Sequence, residues 1–577
     1  MSLLLLLEWA EVEIVLFTAL LLMIVAKVLT VEQAFAGFSN QGMLSIGLLF
    51  IVAGALHTTG ALNQVTHLIF GRDRGNVTRK LLRILFPVSF ISAFINNTPI
   101  VALLIPAIRS WTEKHNYAPS KFLIPLSYAA ILGGICTLIG TSTILVVHGL
   151  LIQNHMPGLG FFEISRIGVP AALAGLLYIV FIGKKLLPDR KEPLVELGEK
   201  TREFVIALKV NGDYEHLGKT IEAAGLRHLR GLFLFQIERN GRIIAPADPN
   251  ETLQLNDRLF FTGIPKTILE LQKTPGLQLI RESEFDLKQY DSSQIRPYEA
   301  VISPSSPLIG RNVRESNFRG RYGAVIIAIH RSGERIQKKI GDIILHPGDT
   351  LLLLADRAFR KRWYHSNDFY LISGTYTIPS RPRPRMIVAA VVFLLMILLT
   401  VFNVLPLLGA AGLAVVALIV TRTITPGEAR EAVNWRVLIV IAISLGIATG
   451  LKNSGVAAAI GEGLVRLSHP WGATGLVVAL YLAASIYNNI ITSNAAAAII
   501  FPIALTAGIS SGIDPRPLVI AIAIGAAASF STPISYQTNL MVYGPGGYRF
   551  TDFVKVGVPL QIIVGVIALI AIHYFYF

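Results

Sequence analysis

INNTPIVALLIP, residues 95–106, sets two adjacent amides, a hydroxyl and a proline inside an otherwise apolar region. Hydrocarbon penalises unpaired polar backbone, so such a break survives only where it is buried in protein or lines a wet cavity. The break recurs. Thr492-Ser493-Asn494 precedes an apolar run ending at Pro502, 396 residues after Pro106. The same offset carries Glu32 onto Glu428 and Gly54 onto Gly450, which predicts a duplicated membrane unit. Polar, interrupted segments at matching places in two halves point to a binding site at the middle of the bilayer.

Composition agrees. The 577 residues are 53% hydrophobic and only 15% charged, whereas soluble domains carry about 25% charge. Apolar runs at 14–26, 44–56, 386–404 and 558–572 read as membrane spans. The net charge of +15 sits in clusters flanking those runs, at 72–83, 184–191 and 381–385. It is therefore cytoplasmic loop bias and no sign of a nucleic-acid partner. One cysteine, Cys136, excludes an internal disulfide and a cysteine metal cluster. The opening MSLLLLLEWAEVE is read as uncleaved, because Glu8 interrupts a short apolar run.

Both halves hold a second break. In the first, the apolar stretch 122–151 is interrupted by Gly133-Gly134 and Gly140-Thr141-Ser142-Thr143. In the second, Ser531-Thr532-Pro533 interrupts a run that begins near residue 517. Between the halves the composition changes to short alternating apolar runs, as expected for strands. Gly218, Gly231, Arg239, Gly241 and Asp257 recur 92 residues later as Gly310, Gly323, Arg331, Gly333 and Asp349. The domain reading is a membrane repeat at 1–186, α+β modules at 195–275 and 284–366, and a second membrane repeat at 386–577.

The chemistry of the breaks suits a small anion beside Na⁺. Helix starts present free N–H groups to anions, and unwound carbonyls suit Na⁺. Asn97 and Asn494 donate and accept through their amides, while Thr98, Thr141, Ser493 and Thr532 add hydroxyls. No Asp or Glu is expected at mid-span, and His57 and His148 lie toward segment ends. Neutral oxygens around Na⁺ are thus favoured over a proton relay. No phosphate-cradling loop, zinc helix or nucleophile elbow appears, so neither ATP drive nor an enzyme is supported. The glycine-rich YGPGGYRF, residues 543–550, reads as a tight turn.

At these residues the chain resembles the divalent anion:sodium symporter family of the ion transporter superfamily. The resemblance rests on Asn96-Asn97-Thr98 and Thr492-Ser493-Asn494, on LIGTST at 138–143, and on YQTNLMVYGPGGYRF at 536–550. It covers both membrane halves, and the insert resembles C-terminal regulator-of-potassium-conductance (TrkA-C-like) domains. It implies a multi-pass α-helical membrane protein with two inverted repeats, re-entrant hairpins and broken helices, plus an inserted tandem of small cytoplasmic α+β domains. Carried over by position, a first sodium site would use Ser92, Asn96, Asn97, Gly140 and Thr141. A second would use Asn488, Thr492, Ser493, Ser531 and Pro533. Substrate would touch Asn97, Thr98, Ser493, Asn494 and Thr532. Two positions depart from the family: Ser493 stands for a usual Asn, and Ile144 for an asparagine.

The resemblance further implies an elevator-type homodimer in the inner (plasma) membrane, with Na⁺ as coupling ion and no organic cofactor. A small cytosolic ligand would bind the insert. Sulfate is favoured over C4-dicarboxylates. The competing readings are a Na⁺/H⁺ antiporter, an arsenite-type permease, or a nutrient sensor built on a transporter-like fold.

Overall fold

The computed structural model describes the chain except residues 1–11, 62–75, 116, 191–204, 227–231, 245–246, 264–273, 281–294, 304–305, 332–333, 337, 339, 364–365, 367, 374–382 and 490. Glu8, Arg72, Lys191, Gly231, Gly333, Arg381 and the expected module starts at 195 and 284 lie outside the described residues.

Helices follow the apolar runs. The first half contains α1 (Val12–Val25), the short α2 (Val31–Phe35), α3 (Gln41–Thr58), α4 (Val77–Ser92), α5 (Asn97–Lys114), α6 (Leu123–Gly134), α7 (Ser142–Gln153) and α8 (Ser165–Tyr178). The last continues through a π turn to Leu186. The polar tip 93–96 separates α4 from α5, and the Gly140-Thr141 break separates α6 from α7. Twelve-residue α6 and α7 each rise about 18 Å, so each reaches roughly halfway across a 30 Å hydrocarbon core.

The insert carries ten strands in two antiparallel sheets. Strands β1 (Val205–Val210), β2 (Leu232–Arg239), β3 (Arg242–Ile244), β4 (Arg258–Gly263) and β5 (Leu277–Leu279) form one, in order β3-β2-β4-β1-β5. Strands β6 (Ile295–Ile302), β7 (Ala324–Arg331), β8 (Glu334–Arg335), β9 (Thr350–Asp356) and β10 (Phe369–Ser373) form the other, in order β10-β6-β9-β7-β8. Read from opposite edges the two orders are the same. Even the irregularities repeat: β2 slips between Leu234 and Gln236, and β7 slips 92 residues later between Ile326 and Ala328. Arg239 clamps Asp257 at 2.8 Å, as Arg331 clamps Asp349 at 2.7 Å. Short helices α9 (Phe318–Tyr322) and α10 (Phe359–Trp363) belong to the second sheet's half. The sheets run to Leu279 and Ser373, past the expected ends at 275 and 366.

The membrane resumes with α11 (Arg383–Val401), α12 (Leu407–Val420), α13 (Pro426–Ala432), α14 (Trp435–Asn453), α15 (Val456–Ser468), α16 (Gly472–Asn488), α17 (Ser493–Ser511), α18 (Pro515–Ala527), α19 (Gln537–Tyr543) and α20 (Phe550–Tyr576). Among the described residues, seven helical segments are long and apolar enough to cross a membrane, so this is a multi-pass membrane protein. Two expectations need correction. The capping boxes Thr30–Gln33 and Thr425–Glu428 make Glu428 the counterpart of Gln33, not of Glu32. And Glu462 lies mid-helix in α15, which was not foreseen as an element; its side chain is exposed on the surface of an amphipathic helix.

The halves interlock by exchange. First-half α1 packs on second-half α14, and second-half α12 packs on first-half α3. Likewise α7 packs on α17, while α19 packs on α5. Two apolar cores result, one around α17 with α7 and one around α5 with α19. Each core therefore holds the tip helix of one half and the broken helix of the other.

Candidate functional site

The site is assembled where α5, α7, α17 and α19 begin. Ser92, at the end of α4, is fully buried, and its Oγ donates to Asn97 Oδ1 at 2.6 Å. Asn97 Nδ2 donates to the Tyr536 hydroxyl at 2.8 Å, which lies 3.2 Å from Thr141 Oγ1. One residue on, Thr98 Oγ1 donates to Gln537 Oε1 at 3.2 Å. In the other core, Ser142 Oγ and Thr143 Oγ1 both donate to Asn494 Oδ1 at 3.1 Å. Thr98 and Asn494 are 396 residues apart, and Ser142 and Gln537 are 395 apart. The Thr98–Gln537 and Asn494–Ser142 contacts are therefore one contact made twice, with the halves exchanging roles.

Glycines make this approach possible. A Cβ on Gly134 would fall 2.8 Å from Asn97 Oδ1 and 3.0 Å from Nδ2, and one on Gly140 would fall 3.0 Å from Ala93 O. Ala93 O itself accepts from Thr137 Oγ1. Carbonyl and amide oxygens thus crowd a spot that only glycine leaves open, beside Ser92 and Asn97. Asn96 is half-buried, its Oδ1 accepting from Thr98 N at 3.3 Å. With Ser142, Phe94 and Ile139 it lines a narrow cleft against α3.

The second half is less tied. Asn488 is 1% exposed, yet neither its amide nitrogen nor its oxygen has a partner, and the same holds for Asn489 Oδ1 and Ser529 Oγ among the described residues. Asn488 lies one turn beyond Ser485, which Gln561 joins to Ala528 O through bonds of 2.9 and 2.5 Å. Thr492 is exposed and caps α17 at Ala495 N. The hydroxyls of Ser493 and Ser531 have no partner among the described residues. Thr532 turns back on its own loop, accepting from Ser535 N at 3.1 Å. Pro533 is buried beside it. No hydrogen bond among the described residues joins 531–533 to the tips.

Four contributors were not singled out from sequence: Ser142, Thr143, Tyr536 and Gln537. The repeat itself could have found the last two. An offset of 395 sets Tyr536-Gln537 opposite Thr141-Ser142, and both Thr141 and Tyr536 are extended N-caps without a side-chain cap (φ −139° and −144°). No side chain therefore caps the first-turn N–H groups of α7. Every side chain in the linked set is uncharged.

Interrupted helices meeting in a polar, uncharged centre inside a multi-pass membrane protein define a transporter-type site. Comparison with known proteins names the family. The model of the citrate transporter family (CitMHS) matches residues 2–525, so the chain belongs to that family. It is 37% identical over 98% of both chains to a Chlamydomonas reinhardtii protein named "Putative sulfur deprivation response regulator". It is 29% identical, over 96% of this chain and 92% of the other, to an uncharacterized transporter of Synechocystis. It is 26% identical to sodium/sulfate cotransporter 1 of C. reinhardtii, over 97% of this chain and 87% of that one. Among solved structures, S. agalactiae BusR in complex with its busAB-promotor DNA covers 32% of this chain and 95% of its own at 17% identity and TM-score 0.12, an overlap that carries no reading.

Proposed function

We propose that the chain is a secondary active transporter that couples Na⁺ to the symport of a divalent oxyanion, sulfate ahead of C4-dicarboxylates. One observation carries the anion. The starts of α5, α7 and α17 carry two hydrogen-bonded sets that adjoin at the consecutive residues Thr141 and Ser142, and the amide oxygens of Asn97, Asn494 and Gln537 are all occupied by hydroxyl donors. What faces a ligand is then the donor side: helix-start N–H groups and amide nitrogens, at the positive ends of three helices of twelve or more residues. A fully ionised oxyanion needs only donors.

An uncharged site does not by itself compensate two buried negative charges. Co-bound cations supply that compensation, which is the physical reason to couple Na⁺. The crowded oxygens at Ser92, Asn97, Gly134 and Gly140 suit one ion, and the unpartnered Asn488 amide suits a second. The relatives named sodium/sulfate cotransporters support both the anion and the ion. The halves are read as inverted repeats, the protein as an elevator-type homodimer of the inner (plasma) membrane. Its TrkA-C-like insert would lie in the cytoplasm and bind a small cytosolic regulator.

A second reading, a sulfur-nutrient sensor, is favoured by the 37% identical relative named as a sulfur deprivation response regulator. Uptake of radiolabelled sulfate and succinate by proteoliposomes, with and without a sodium gradient, separates the two. Symport requires sodium-dependent accumulation. Uptake unchanged in sodium-free medium under a proton gradient rejects Na⁺ coupling, and sulfate binding with no accumulation selects the sensor.

A further inference from the structure

The two sheets of the insert share topology and bulges, but among the described residues only the second meets the membrane unit through a buried ion pair. Glu299 on β6 pairs with Arg109 on α5 at 2.6 Å, and both side chains are almost wholly buried. Val301, two residues along the same strand, belongs to the apolar core that contains Leu540 and Tyr543 of α19. Gly348 and Thr350, at the start of β9, close the contact. A Cβ on Gly348 would lie 2.7 Å from Leu540 Cδ1, and one on Gly544 would lie 3.2 Å from Thr350 Cβ. Strand β10 also touches α5.

The duplicated module diverges at these very positions. Ninety-two residues before Glu299, Val301, Gly348 and Thr350 stand Ala207, Lys209, Asn256 and Arg258. Ala207 packs instead between the two sheets, with Phe235 and Phe260 against Val325, Ile327 and Leu352. One copy of the repeat is thus shaped to cover its sister, the other to dock on helices.

Those helices are α5 and α19, whose opposite ends carry Asn97, Thr98, Tyr536 and Gln537. Seven-residue α19 spans only about 10 Å between the site and the docked strands, and Arg109 stands about 18 Å along α5 from Asn97. We propose that the face of β6 and β9 is a docking surface for α5 and α19, so that the insert's second sheet and the anion site move as one body. This rests on the reading that α5 and α19 carry the anion site. A buried ion pair cannot separate without leaving two uncompensated charges, so this contact stays closed through a transport cycle. A change at the site is then delivered to the soluble unit, and a ligand on that unit biases the site through unequal affinity for its two states.

The test uses full-length protein in proteoliposomes. Thr350→Cys with Gly544→Cys places the two Cβ atoms near the separation of about 3.5–4.5 Å that a disulfide takes; Gly544 has ordinary helical angles, φ −66° and ψ −56°. Oxidation is expected to link the cysteines and leave sulfate binding and sodium-driven uptake at wild-type level. Glu299→Gln is expected to raise half-saturation for sulfate and Na⁺ roughly fivefold or more, and exchanging the pair (Arg109→Glu with Glu299→Arg) to lower it again. Cysteines that do not couple would deny the contact, and a crosslink that stops uptake until reduced would show that the contact must open. Glu299→Gln protein that folds and keeps wild-type half-saturation would show that the contact transmits nothing. If Glu299→Gln does not fold, the crosslink decides alone. Asn97→Ala is run beside these variants, because wild-type behaviour there defeats the site assignment without bearing on the docking contact.

Discussion

Removing the Asn97 amide tests the site most directly. The side chain is 1% exposed, accepts from Ser92 Oγ at 2.6 Å and donates to Tyr536 at 2.8 Å. Asn97→Ala leaves the Ser92 hydroxyl, itself fully buried, without its acceptor, and frees Tyr536 from its donor. A buried group that loses its partner costs about 1–3 kcal/mol, which expressed as affinity is roughly 5- to 150-fold. Asn494→Ala does the equivalent in the other half, stranding the hydroxyls of Ser142 and Thr143. The two variants are therefore expected to weaken sulfate binding by similar factors. Purified variants are reconstituted, compared with wild type by thermal melting to confirm folding, and assayed for sulfate half-saturation at several sodium concentrations. If both insert normally and keep wild-type half-saturation for sulfate and sodium, the tips are not the site.

Three further outcomes follow from the same geometry. Tyr536→Phe removes only the hydroxyl between Asn97 and Thr141; one ordinary hydrogen bond, about 0.5–1.5 kcal/mol, is expected to raise the sulfate half-saturation by roughly 2- to 13-fold, with fold and expression unchanged. Glu163 lies between α7 and α8, where burial alone would raise its carboxyl pKa, but Arg516, bonded to it twice at 2.6 Å, and the Gly160 N–H pull it below the usual range. The sign follows: this stabilisation is complete above the unfolded carboxylate value and fades as pH falls from about 4.3 through the lower folded value. The melting-temperature gap between wild type and Glu163→Gln should therefore narrow on acidification through that window and stay constant above it. Asn240→Cys places a thiol on the exposed β2–β3 turn, while native Cys136 is buried; a membrane-impermeant maleimide should label it in inside-out vesicles and not in intact cells, and labelling from outside would overturn the cytoplasmic placement.

Much of the molecule was legible before any coordinate. A low charge fraction with long apolar runs leaves a membrane as the only solvent that accepts the surface, and polar breaks in those runs mark where helices stop. That is why α5 begins at Asn97 and α17 at Ser493, and why Gly140-Thr141 ends the gap between α6 and α7. The 92-residue repeat was equally visible, because an Arg–Asp clamp and its turn glycines recur wherever the same sheet is built twice. These are local properties: hydration of a backbone group, the torsion a glycine allows, the period of a strand.

Which breaks face each other is not local, and sequence was silent on it. The Tyr536 hydroxyl reaches Asn97, 439 positions away in the chain, because α19 packs on α5 of the other half. Ser142 and Thr143 reach Asn494 for the mirrored reason. Thr532, whose hydroxyl looked equivalent to those of the tips, is used inside its own loop. The same limit hid the docking of the insert: Glu299 in a strand and Arg109 in a helix are each unremarkable until packing removes water from both. Hydrophobic burial selects the elements from sequence alone, whereas the pairing of isolated polar groups is decided by which apolar faces come together, and only the tertiary structure contains that.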